Sequence, residues 1–128
     1  MNQPKILIVE DDPNSALLVK DFLTLKGFNI DHVTDGLSAV ETVEATVYSI
    51  VILDLRLPGQ NGFVTAEKIR QIPSGASIPI IVLTAFADTQ NKLRAYQSGV
   101  NFVLPKPVNI KELYYVVNNL IQLQAHSW

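Results

Sequence analysis

The stretch Ser49-Ile50-Val51-Ile52-Leu53-Asp54 carries aliphatic, mostly β-branched residues without polar alternation, and it stops abruptly on a carboxylate. A continuous apolar run of this length is what a strand covered on both faces of a parallel sheet presents, so it reads as a central strand. Upstream, Lys5-Ile6-Leu7-Ile8-Val9 is a second run of the same kind. Between the two, the segment from Pro13 to Lys26 places Leu17, Val19, Phe22, Leu23 and Leu25 at mixed helical spacing and stops at Gly27. Asp12 ahead of Pro13 fits a helix start, because an N-cap carboxylate accepts orphan amide bonds and proline suits the first turn. Asn29 to Thr34 alternates weakly and reads as a strand, after which Asp35 caps a helix with Leu37, Val40 and Val43 on one face.

Downstream of the central run, Pro58-Gly59-Gln60-Asn61-Gly62 is turn chemistry, and Phe63, Ala66 and Ile69 then recur at helical spacing up to Ile72-Pro73. Ile78 to Leu83 is a fourth strand, Asp88 to Ser98 a helix closed by Gly99, and Phe102-Val103-Leu104 a short fifth strand. Asn109 caps a final helix whose core face takes Ile110, Leu113, Val116 or Val117, and Leu120, extending to Leu123. Strands that alternate with helices argue for an α/β fold with a parallel sheet covered on both sides, since parallel neighbours need crossover connections.

The 128 residues, 48% of them hydrophobic, fit one domain, with a core from about residue 5 to 122 and no output domain. Ten basic residues against twelve acidic ones give a charge of -2, so no positive field favours direct contact with nucleic acid or an anionic membrane. Without cysteine there is no disulfide framework, thiolate metal site or thiol nucleophile. No apolar run reaches the roughly 18 residues that a bilayer span needs, and the start lacks a secretory signal, so a cytoplasmic chain without membrane insertion is expected.

In a doubly wound sheet, ligands bind beyond the carboxyl ends of the strands. Those ends supply Glu10-Asp11-Asp12, Asp54, Thr84-Ala85 and Lys106-Pro107. Carboxylates about 5 Å apart repel by roughly 3 kcal/mol at an effective dielectric near 20, so converging acids need a proton or a cation. Hard oxygen ligands, with His32 and His126 read as lying away from these ends, favour Mg2+ over zinc. Mg2+ held by few carboxylates keeps positions open for phosphate, Lys106 would pair with phosphoryl charge, Thr84 would donate to it, and an aspartate there is a competent nucleophile. Singly, each residue has a plainer reading: Asp54 as turn chemistry, Thr84 as a strand residue, Lys106 as a surface cation and Asp12 as a helix cap. For Asp12 the cap is preferred, and for Asp11 the metal.

Together these residues resemble the receiver domains of two-component response regulators, single-domain chemotaxis-type regulators among them. The likeness runs from Ile6 to about Gln122. It rests on Ile8-Val9-Glu10-Asp11, on Leu53-Asp54-Leu55-Arg56-Leu57-Pro58-Gly59 with Asn61-Gly62, on Leu83-Thr84-Ala85 and on Lys106-Pro107. The resemblance implies a flavodoxin-like (βα)5 fold of strand order 2-1-3-4-5, with Asp54 as phosphoacceptor and Mg2+ held by Glu10, Asp11, Asp54 and the Arg56 carbonyl. Glu10 would act mainly through a metal-bound water. It further implies that Lys106 and Thr84 meet the phosphoryl group, beside Ala85 and Pro107, and that the Lys106-Pro107 peptide is cis. A sensor histidine kinase or histidine phosphotransfer protein would be the donor, and an unidentified downstream protein the receiver of the signal. The face on the last helix and fifth strand, which includes Tyr115, is where such domains meet partners or a second copy.

One position departs from that pattern. Three residues before the lysine the family carries a switch aromatic, and here Val103 stands there with Phe102 one step earlier, on the opposite strand face. A contact-only receiver module is therefore an alternative reading. An aspartate-nucleophile phosphatase is a weaker one, because such enzymes place a second acid where this chain has Arg56. A flavin protein is disfavoured by acids at the end of the first strand, where a phosphate cradle would be needed.

Overall fold

A computed structural model describes residues 3–57 and 59–125. Pro58 of the turn, and His126, lie outside the described residues. The elements are β1 (Lys5–Val9), α1 (Pro13–Leu25), β2 (Asn29–Val33), α2 (Gly36–Ala45), β3 (Ile50–Asp54), α3 (Gly62–Gln71), β4 (Ile80–Thr84), α4 (Thr89–Gln97), β5 (Phe102–Pro105) and α5 (Ile110–Ala125). A single 3-10 turn at Pro73–Gly75 precedes β4. All neighbouring strands pair in parallel, in the order β2-β1-β3-β4-β5. This is the flavodoxin-like (βα)5 arrangement.

The central run behaves as its composition demands, with all of β3 and β4 buried. Strand residues alternate between two apolar layers. Leu7, Val9, Val51, Leu53, Ile80 and Val82 pack with Ala39 and Val43 of α2, Phe63, Ala66 and Ile69 of α3, and Ala95 of α4. Ile6, Ile8, Ile50, Ile52, Ile81 and Leu83 pack with Val19 and Leu23 of α1 and with Leu113 and Val117 of α5. Each such aliphatic side chain, fully buried, contributes about 1.5–3 kcal/mol.

The buried stripes of the helices are narrower than the apolar residues alone suggest. Leu37 and Leu123, expected on core faces, are exposed, as are Leu17 and Leu25 of α1, Leu25 to 85%. At about 100° per residue, Leu17, Leu25 and Leu37 each stand about 160° around their helix from the buried Val19, Leu23 and Ala39 respectively. Leu123 stands about 120° from Val117 by the same geometry, and all four point outward.

Strand limits also shift. Asp54 and Thr84 close β3 and β4 from inside the ladder, β2 stops at Val33, β4 starts at Ile80, and β5 continues through Pro105. Pro105 is tolerated because β5 is an edge strand, and the Lys106 amide carries the next bond, to the Thr84 carbonyl at 2.8 Å.

Caps follow the sequence closely. Asp35, Asn61, Asp88 and Asn109 each accept a backbone amide in the first turn of their helix. Asp12 stands at the N-cap of α1, but its carboxylate takes the Ser15 hydroxyl at 2.7 Å and no first-turn amide. Gly27 and Gly99 end α1 and α4 at φ +95° and +100°, a conformation that side chains resist.

At the amino ends of β4 and β5 the guanidinium of Arg70 closes the sheet. It donates to the carbonyls of Gly75 at 2.8 Å and Gly99 at 2.8 and 3.0 Å, and to Asn101 Oδ1 at 2.9 Å. Asn101 Oδ1 in turn accepts the Ile80 amide at 2.8 Å.

Candidate functional site

Register places the chemistry. Val9 pairs with Leu53, so the next residues, Glu10 and Asp54, emerge side by side at the carboxyl end of the sheet. Gly62 allows α3 to start tight against this exit, for a Cβ there would meet the Asp54 carbonyl and Leu55 Cα at 2.7 Å. Its amide bonds the Leu55 carbonyl at 2.9 Å. The cis Lys106-Pro107 peptide follows β5.

The ammonium of Lys106 donates to Glu10 Oε1 at 2.6 Å and to Asp54 Oδ2 at 3.1 Å. These are the ion pairs found among the described residues. Glu10, Asp11 and Asp54 can each bring one carboxylate oxygen within 4.8 Å of the others, and Glu10 is buried while Asp11 is exposed. Three carboxylates against one ammonium leave two negative charges unbalanced. Burial pushes the Glu10 carboxyl up, a hydrogen bond with Asp54 pushes it further, and Lys106 only partly offsets both, so it reaches about 7. Burial lowers Lys106, but its bonds and charge interactions with the two acids outweigh that and leave it raised. A proton on Glu10 is one remedy for the surplus. A divalent ion is the other, and the all-oxygen donor set suits Mg2+.

The threonine side of the site is arranged differently. Thr84 is buried, yet its Oγ1 accepts the Phe86 amide at 2.9 Å. The Arg56 amide donates to Asp54 Oδ1 at 3.0 Å, and its guanidinium lies 4.0 Å from the Phe86 ring centre. A cavity of about 230 Å3 lies beneath, lined by Leu55, Arg56, Phe63, Thr84, Phe86 and Asn91. A second cavity, about 150 Å3, opens on the other side of Asp54 between Leu18, Val19, Lys106 and Val108. Ala85 and Pro107 are exposed beside the site. Val103 is buried in the α4-side core, and Phe102 turns outward, 41% exposed.

One expectation needs correcting. His32 is not remote from the acids, because its Nε2 lies 2.8 Å from the Glu10 carbonyl. Sequence reasoning missed this since His32 sits two residues before the end of its strand's reading and bonds backbone, not a side chain. The available signal was the parallel pairing of the first two strands, which sets Ile8 opposite His32. The Arg56–Phe86 stack was equally unannounced, as it joins two loops whose relative placement no local sequence signal sets.

Comparison with known proteins gives a uniform result. Residues 6–118 match the response regulator receiver domain family. The response regulator ArlR of Staphylococcus aureus is 36% identical over 123 residues, covering 96% of this chain and 55% of ArlR. The DNA-binding dual master transcriptional regulator RpaA of Synechocystis is 31% identical over 93% of this chain and 49% of its own. The chain thus spans about half the length of these curated relatives. Among solved structures, the receiver domain of the sensor histidine kinase PA1611 from Pseudomonas aeruginosa is 32% identical with a TM-score of 0.88, covering 94% of this chain and 99% of that one. That structure holds a magnesium ion coordinated in its active site cleft. A two-component response regulator from Clostridium difficile is 30% identical with a TM-score of 0.90, covering 98% and 100%. No helix among the described residues is long and apolar enough to cross a membrane.

Proposed function

We propose, because the chain belongs to the response regulator receiver domain family, that Asp54 takes a phosphoryl group from a phosphohistidine in an Mg2+-dependent reaction and that the domain passes the signal on by docking. Receiver domains are signalling modules and not turnover enzymes, which removes the phosphatase alternative from contention. The observation that carries the proposal is the double ion pair of Lys106 with Glu10 and Asp54, inside a cluster of three acids.

The residues divide the work as follows. An Asp54 carboxylate oxygen attacks phosphorus in line; the new P–O bond forms as the P–N bond to imidazole breaks, and the imidazole leaves. Hydrolysis of the acyl phosphate later returns the carboxylate and inorganic phosphate. Glu10, Asp11, Asp54 and the Arg56 carbonyl would hold Mg2+, which when bound neutralises the acids and the phosphoryl oxygens. Lys106 exchanges a carboxylate partner for a phosphoryl oxygen, supplying charge where it develops. Thr84, beside Ala85, turns its hydroxyl to another oxygen, and Pro107 fixes the approach of the loop. The receiver unit of about residues 5–122 would act in the cytoplasm, with a histidine kinase or phosphotransfer protein as donor. The downstream partner, or a second copy, would meet the face that includes Tyr115, 70% exposed on α5.

The test is incubation with acetyl phosphate, with and without Mg2+, followed by intact mass. A phosphate-sized increase that needs the metal and vanishes in Asp54→Asn is expected; an equal increase in that variant would remove Asp54 as acceptor. Val103 in the core, in place of an aromatic, favours a contact-only module as the second reading. No increase under any condition, with undiminished partner binding, would establish it.

A further inference from the structure

We propose that His32 is a positioning residue for the acid pair, fixing through the Glu10 carbonyl the backbone from which Glu10 and Asp11 reach a divalent cation. The inference rests on the metal reading of that pair given above. A carbonyl oxygen only accepts, so the 2.8 Å contact requires the hydrogen on His32 Nε2. The Glu10 amide donates to the Val33 carbonyl at 3.1 Å. Both backbone polar groups of Glu10 are therefore held by the end of β2, one residue beyond the last β1 residue in the ladder.

The anchoring matters most for Asp11. Glu10 is gripped by Lys106 through its side chain, whereas the Asp11 carboxylate has no hydrogen bond among the described residues, and it is exposed. Its place within the cluster is set by the chain alone, by the peptide whose carbonyl His32 holds. Rotation of that peptide would swing Asp11 away while leaving Glu10 and Lys106 paired. A partner behind a ligand typically changes metal affinity by roughly tenfold or more when removed.

Mg2+ titration of the metal-free full chain, followed calorimetrically, separates this role from a merely structural one. In His32→Leu the dissociation constant for Mg2+ should rise roughly tenfold. His32→Gln, whose amide nitrogen falls where Nε2 sits, should stay within about twofold of the parent. His32→Asn, equally polar but with its nitrogen at the Nδ1 position, should resemble His32→Leu. Unfolding midpoints measured without Mg2+ should stay close across the set. Parent-like affinity in both the Leu and Asn variants, or a Gln variant as weak as Leu, would overturn the positioning role and leave the metal site standing. Absence of Mg2+ binding to the parent would instead sink the metal reading and this inference together.

Discussion

Two cations brace opposite ends of the sheet, and they do so with different partners. Arg70, at the amino ends of β4 and β5, directs its donors to two carbonyls and an amide oxygen. Lys106, at the carboxyl ends, grips two carboxylates. Neutral backbone acceptors cannot leave, so the Arg70 end is closed and has nothing to offer a ligand. Carboxylates can be shared with a metal, and an ammonium can exchange one oxyanion for another, so the Lys106 end is held and still available. A cation bonded to carbonyls is a structural fastening; one bonded to surplus acids is a poised site.

The largest effect expected is on chemistry. Lys106→Ala should slow phosphate incorporation from acetyl phosphate by about 100-fold, while Arg70→Ala, assayed where it is folded, should stay within about twofold of the parent. Equal losses in a mass-spectrometric time course would erase the contrast. Stability should show the reverse order. Arg70→Ala orphans the carbonyls of Gly75 and Gly99 and should lose about 2–4 kcal/mol in urea unfolding, more than Lys106→Ala does at pH 7.

The acidic end should also respond to pH. The Glu10 carboxyl is raised from 4.5 to about 7 in the fold, so between those values the folded chain keeps a proton that the unfolded chain has released. Its contribution to stability is therefore full below about pH 4.5 and is lost as pH rises to 7, on the order of 2 kcal/mol without Mg2+. Urea midpoints that rise across this range in a titration of parent against Glu10→Gln would contradict the sign. Mg2+ should bind about tenfold more weakly at pH 6 than at pH 8, because Glu10 must first release its proton. The smallest effect belongs to Asp12, next in sequence but bonded to Ser15 and outside the cluster. Asp12→Ala should alter the Mg2+ dissociation constant by no more than about twofold, since an exposed charge is screened.

The fold was legible because its strongest signals are local and redundant. The run ending at Asp54, the caps at Asp35, Asp88 and Asn109, and the stop at Gly99 each restrict the chain by themselves, and they agree. Of the site, Glu10, Asp54 and Lys106 were readable because like and unlike charges at neighbouring strand ends have few stable arrangements. Leu37 and Leu123 were misread since apolar residues lie on more than one side of those helices, and only the partner surface decides which stripe is covered. The bonds that Thr84 and His32 make escaped for another reason. They run to backbone groups, which every residue carries and no side-chain pattern announces.

The Lys106–Glu10 contact joins positions 96 residues apart, the opening strand's exit to the closing strand's. Until residues 102–106 are in place, the acids at the ends of β1 and β3 have no Lys106 ammonium against them. On the proposed chemistry, competence to accept a phosphoryl group therefore waits for the last strand to bring in Lys106.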